Sequence, residues 1–219
     1  MLPDTHKQIL TVQYRMKRNI GNLISQVFYD GKIATEVDDK NRTHPIKKFE
    51  GKSIVWIDTS MMNGKDEDRL KGGSFCNYIE NTIIKKLLEC FKNENVIKDL
   101  DIGIITGYRG QKELIRKSVS NGGYDKISKK IDINTLDAFQ GRENDIIIYS
   151  TVRTKNSIGF QKEKERVNVA FSRAKDLLII CGDMDFFYKF DDPDNKFVEI
   201  IDYIHEHEDE CLIISGGEL

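Results

Sequence analysis

Apolar residues recur along this chain in two alternating rhythms. Helical spacing first appears over 18–29, where Ile20, Leu23, Ile24, Val27 and Phe28 share one face. The stretch 32–53 is polar, holds Pro45 and reads as a loop. Residues 53–58 (SIVWID) form a short continuous apolar run, the signature of a buried strand. Residues 60–74 look like a mobile, turn-rich connection. Helical spacing returns over 76–92 with Ile79, Ile83, Ile84, Leu87, Leu88 and Phe91. Further strands are predicted at 101–106, 130–136, 145–152 and 177–182, with helices at 110–120 and 162–175. Short, continuously apolar strands alternating with helices imply an α/β fold, a parallel sheet covered by helices on both faces.

Composition narrows this little. A chain of 219 residues with 39% hydrophobic and 32% charged residues suits one α/β domain with a sizeable core. No run approaches the roughly 18 apolar residues of a membrane helix, and the N-terminus lacks the pattern of a secretion signal. Cys76, Cys90, Cys181 and Cys211 are far apart in sequence, which suggests neither a zinc knuckle nor a disulfide framework. The expectation is a reduced, intracellular, cytoplasmic chain with no membrane contact.

Charge adds an asymmetry. The formal net charge is −2, yet residues 183–210 carry eleven acids against two lysines. Residues 1–182 carry a net +8. The larger part can face phosphates, while the tail reads as an acidic, helical extension over 184–219.

In such a sheet, ligands collect at the carboxyl ends of strands. The polar loops there are Thr106-Gly107-Tyr108-Arg109-Gly110-Gln111, Asp137 to Glu143, and Ser150-Thr151-Val152-Arg153. Gln13-Tyr14-Arg15-Met16 stands near the N-terminus. Arg173, among Ala170, Ser172 and Ala174 on a predicted sheet-packing helix, needs an anion. No phosphate loop accompanies these cations. Gly51-Lys52-Ser53 lacks the upstream glycine, because Ile46 stands there, and it leads into a strand where such a loop leads into a helix. No Asp-Glu pair closes a hydrophobic strand as a Walker B site does.

These pieces together resemble superfamily 1 helicases, in the 5′-to-3′ branch of the nonsense-mediated-decay helicase and senataxin-like proteins. The resemblance covers about residues 8–183. It rests on LTVQYRM at 10–16, VFYDGKI at 27–33, IGIITGYRGQ at 102–111, NTLDAFQGRENDIIIYSTVR at 134–153 and RVNVAFSRAKDLLIICGD at 166–183. Gly107 departs from it, since the family usually has proline there.

The resemblance implies a RecA-like P-loop NTPase fold without its own Walker motifs, the second such domain of a motor, over residues 1–183. It implies that Arg15 and Arg173 contact the γ-phosphate of ATP, with Tyr14 near the adenine. Gly141 and Glu143 would lie by the nucleotide, and Gln140 would link it to the nucleic acid. Thr106, Tyr108, Thr135 and Ser150 would lie toward a single strand of DNA or RNA. ATP with Mg2+ would be held mainly by a first RecA-like domain in the same longer parent protein, so this chain alone should not hydrolyse ATP. The alternative is a standalone nucleic-acid-binding or regulatory module that keeps the fold without motor activity. A metal site at His205-Glu206-His207-Glu208 is disfavoured, because positions 205 and 207 do not share a helix face.

Overall fold

The computed structural model describes residues 11–124, 130–139 and 141–219. The chain begins with β1 (Val12–Gln13), α1 (Arg18–Tyr29) and β2 (Ala34–Thr35), and reaches the main sheet at β3 (Ile54–Asp58). A small hairpin follows, β4 (Asp68–Arg69) and β5 (Phe75–Cys76), then α2 (Tyr78–Asn93), β6 (Ile102–Thr106) and α3 (Arg109–Asn121). β7 (Ile131–Thr135), β8 (Asn144–Ser150), α4 (Lys164–Phe171) and β9 (Ala174–Gly182) complete the part with the most regular alternation. The last elements are α5 (Met184–Lys189), α6 (Phe197–Glu206) and β10 (Cys211–Ser215).

The main sheet has six strands in the order β10-β3-β9-β8-β6-β7, and every pairing is parallel. Alternation along each strand sends neighbours to opposite faces. In β8, Ile147 and Tyr149 enter the core shared with α1, α4 and α6. Ile146 and Ile148 enter the core under α2 and α3. Burial on both faces explains why the strands read as continuous apolar runs in the sequence. Trp56, fully buried in β3, donates its indole N–H to the Gly182 carbonyl at 3.1 Å and so satisfies its polar edge. α2 starts where the Asn77 side chain accepts from the Glu80 amide, an N-cap that fixes the first turn.

Several boundaries differ from the sequence expectation, for local reasons. The helix expected over 162–175 is shorter. Ser172 N donates to Asn168 O and Arg173 N to Ala170 O, which ends α4, and Ala174 already pairs with Asn144 of β8. Arg173 therefore stands in the turn between α4 and β9, not on the helix. The stretch 60–74 includes β4, which pairs antiparallel with β5, and the polar stretch 32–53 includes β2, which pairs with β1. The segment 184–219 is not simply helical. Its apolar run Cys211–Ser215 becomes the edge strand β10 beside β3, and α6 buries Phe197, Ile200, Ile201, Tyr203 and Ile204.

Candidate functional site

The chemistry-bearing residues divide between the two ends of the sheet. Glu143 precedes β8 and Arg173 precedes β9, so these residues sit at the amino ends of the strands. Glu143, in the polar loop that the sequence reading places after a strand, thus stands beside the amino end of the next one. Arg15 joins them from the loop between β1 and α1. Gln13 shapes that loop, its side-chain oxygen accepting from the amides of both Arg15 and Met16 at 2.8 Å. Its amide nitrogen is tied to Thr35 Oγ1 at 2.8 Å.

Arg15 Nε donates to Glu143 Oε2 at 2.6 Å, and Lys175 Nζ lies 3.5 Å from Glu143 Oε1. The bond from Arg15 holds the Glu143 carboxyl below the usual carboxylate range. Arg173 is differently placed. Its Nε donates to Val169 O at 2.9 Å and its Nη1 to Arg142 O at 3.2 Å. Among the described residues no carboxylate lies within ion-pair distance of it. Burial and the nearby Arg15 charge both lower its pKa, the direction expected of a cation short of counter-charge.

A cleft of about 600 Å³ opens between these arginines and is walled by Tyr14, Met16, Tyr29, Asn168 and Ser172. Tyr14 is 63% exposed and donates its hydroxyl to Glu36 Oε2 at 3.1 Å. Asn168 Nδ2 donates to the Tyr29 hydroxyl at 2.7 Å, a pair with no signal in the motif reading. Gly141 lies in the left-handed region at φ 85°, as the tight turn before β8 requires. Gln140 lies outside the described residues.

The opposite, carboxyl end carries the other expected residues in one row. Thr106 is in register with Thr135 of β7 on one side and with Ser150 of β8 on the other. The row is where the sequence places it, but its hydroxyls are not all open. Thr106 and Ser150 are fully buried, and Tyr108 is 4% exposed. Ser150 Oγ donates to Glu80 at 2.5 Å and accepts from Gln111 Nε2 at 2.9 Å. These side chains hold the loops, and only Thr135 of the row is partly open.

Glu80 is the residue the sequence did not reveal. It is fully buried and also accepts from Thr151 Oγ1 at 3.0 Å and Val152 N at 2.8 Å. Burial outweighs these bonds and pushes its carboxyl up to about 8. Val152 has φ 70°, a costly conformation for a β-branched residue, of order 1–3 kcal/mol. Glu80 thus pins a strained turn leaving β8. Arg153, next along, pairs with buried Glu67 at 3.2 Å and lies 4.3 Å over the Phe75 ring. Those two contacts fasten the β4–β5 hairpin beside the carboxyl ends of β6 and β7. Between hairpin and strands lies a second cleft of about 500 Å³.

Among the described residues, no group of three or more His, Cys, Asp or Glu side chains is placed to hold a metal ion. His207 instead stacks on Tyr203 at 4.0 Å. No helix among them is long and apolar enough to cross a membrane.

The family model described as "AAA domain" matches residues 2–185. The chain belongs to this family. Its relatives place it further, in the superfamily 1 helicases of the nonsense-mediated-decay and senataxin branch. It is 36% identical over 182 residues to the ATP-dependent helicase NAM7 of Saccharomyces cerevisiae, covering 79% of this chain and 18% of that protein. It is 34% identical over 192 residues to Helicase SEN1 of the same yeast, covering 83% of this chain and 8% of that one. A Regulator of nonsense transcripts 1 homolog of Drosophila melanogaster is 35% identical over 181 residues, covering 79% and 15%. The chain thus spans less than a fifth of the length of these relatives. This helicase-type motor domain has the RecA-like fold, with a parallel sheet between two helical layers and no Walker motifs of its own.

Proposed function

We propose that this domain is the closing half of an ATP-driven helicase, supplying Arg15 and Arg173 to ATP whose phosphate cradle lies on another RecA-like domain. The observation that carries this is the pair of arginines on one open cleft. Arg173 there is half-buried, lacks a carboxylate partner among the described residues and faces no phosphate loop of its own chain. An outer phosphate of ATP supplies the missing counter-charge. Phosphoryl transfer needs charge stabilised on the transferred group, and an arginine contributed from a second domain does this.

ATP with Mg2+ fits this wall through its outer phosphate and sugar. Arg15 and Arg173 would face the phosphate, Glu143 would accept from a ribose hydroxyl once Arg15 turns away, and Tyr14 offers an exposed ring to the base. Mg2+ is assigned to the other domain, since this wall is cationic. Gly141 would lie by the nucleotide, and Gln140 would link the nucleotide to the nucleic acid. That row would grip one strand of DNA or RNA by its phosphates, chiefly through backbone amides and Thr135, given the burial of Thr106 and Ser150.

The test compares this chain alone with the same chain joined to the first RecA-like domain, measuring ATP hydrolysis with and without single-stranded nucleic acid. The isolated chain should show none. The joined protein should hydrolyse ATP with stimulation, and Arg173→Ala should lower the rate about 10³-fold or more. Sustained hydrolysis by the isolated chain would overturn the split-site reading. Full activity of the joined Arg173→Ala protein would remove the arginine from it.

A further inference from the structure

The second cleft carries a feature that gripping phosphates does not need. Phe160, in the short 3-10 helix Gly159–Lys162 just before α4, is 45% exposed and lies on the cleft wall. An isolated exposed ring is unremarkable on a protein surface, but this one is held in place. Tyr108 tilts against it with centroids 5.4 Å apart, and Tyr108 in turn meets Phe75 of the hairpin edge-on at 5.7 Å. The Arg166 guanidinium lies 5.2 Å from the Phe160 centroid.

Gly107 leaves one edge of the ring without a side chain against it. A Cβ at that position would stand 3.7 Å from Phe160 Cδ2, in ordinary contact with the ring. With glycine there, that side of the ring faces the cleft. The cleft is also cationic at its edge. Arg109 and Lys112 line it, Lys112 also lying 3.3 Å from Glu113 Oε1, and Lys71 stands exposed on the hairpin loop. Its one acidic lining residue, Asp137, lies 3.6 Å from Arg166 and is already partnered. Thr135, the open member of the carboxyl-end row, lines the same cleft.

An anchored ring, a cationic rim and a backbone without a side chain over the ring fit one ligand chemistry, an unpaired nucleobase with its flanking phosphates. We propose that Phe160 is a base-stacking platform, with Gly107 leaving one edge of it clear and with Tyr108 and the β4–β5 hairpin fastening it. Arg109, Lys112 and Lys71 take the neighbouring phosphates. Stacking is tolerant of base identity, because every base has a π face, so the site holds a strand without reading its sequence. This rests on the nucleic-acid half of the proposed function and adds a base contact to it.

The experiment titrates the full chain with a short single-stranded DNA oligonucleotide carrying a central 2-aminopurine, read by its fluorescence, beside the same oligonucleotide with scattered abasic positions. Stacking predicts quenching on binding, and about tenfold weaker binding for Phe160→Ala and for the abasic strand. Gly107→Pro and Gly107→Ala keep Phe160 but place an added Cβ against one edge of its ring, and they should reduce the quenching while the fold, checked by circular dichroism, is unchanged. Binding that ignores the abasic positions and all three substitutions overturns the platform and leaves the phosphate grip standing. No binding of the oligonucleotide overturns both.

Discussion

Glu80 and Arg173 show opposite answers to the same difficulty, a charge partly or wholly removed from water. Glu80 solves it by taking up a proton. Its carboxyl titrates near 8 against an ordinary 4.5. A raised carboxyl pKa means the folded state binds the proton more tightly. Stability is then greatest below the unfolded value and declines as pH rises from about 4.5 to about 8. Glu80→Gln keeps a neutral side chain of the same shape and should remove this slope. Melting curves of both proteins across that range test it. Parallel pH profiles for wild type and Glu80→Gln would show that burial does not govern this carboxyl. Arg173 has no such escape, because a guanidinium stays charged, and among the described residues no carboxylate pairs with it. Neither role was equally legible. Arg173 stood out as a cation among small residues, whereas a glutamate in the first turn of an amphipathic helix reads as solvated. Only the fold shows that Ser150, Thr151 and Val152 close over Glu80.

The β4–β5 hairpin is the element whose anchoring is most concentrated. Arg153 ties it through Glu67, with side chains 8% and 1% exposed, and through the Phe75 ring. Thr154 adds a bond from its amide to Glu67 at 2.9 Å. Arg153→Ala leaves a buried carboxylate without its cation, at a cost of about 3 kcal/mol. The melting temperature should fall by roughly 6–12 °C, and amide exchange over residues 65–76 should accelerate first. Unchanged exchange there would mean the hairpin is held by other contacts. The strands of the main sheet were legible because burial on both faces makes them continuously apolar. The hairpin was not, since its strands are two residues each and sit in a turn-rich stretch. The arginine turn was misplaced for a related reason. Alanine and serine around Arg173 suit a helix, and the pairing of Ala174 with Asn144 is a tertiary contact that periodicity cannot show.

For the whole molecule, the acidic segment is part of the sheet and not an appendage. β10 covers the outer edge of β3 along its full length, from Cys211 against Ile54 to Ser215 against Asp58. The acids of 206–210 hid this strand, since charge density drew the reading toward a solvated helix. Deleting residues 211–219 bares the β3 backbone and should cost on the order of 3 kcal/mol, with concentration-dependent self-association through the exposed edge. Thermal melts and sedimentation report the two effects. A truncated chain that melts like the full one and stays monomeric would make β10 dispensable.

β8 has Glu143 just before its first residue and Ser150 as its last. Its seven residues span ~20 Å. In the proposed motor the strand is a lever arm, with its fulcrum at the nucleotide wall and its load at the gripping row. A domain rotation of roughly 15°, the scale of known rigid-body switches, would sweep the far end by about 5 Å. That is comparable to the spacing between successive phosphates along a strand. The step size of such a motor would then be set by strand length and rotation angle, with no internal rearrangement of this domain required.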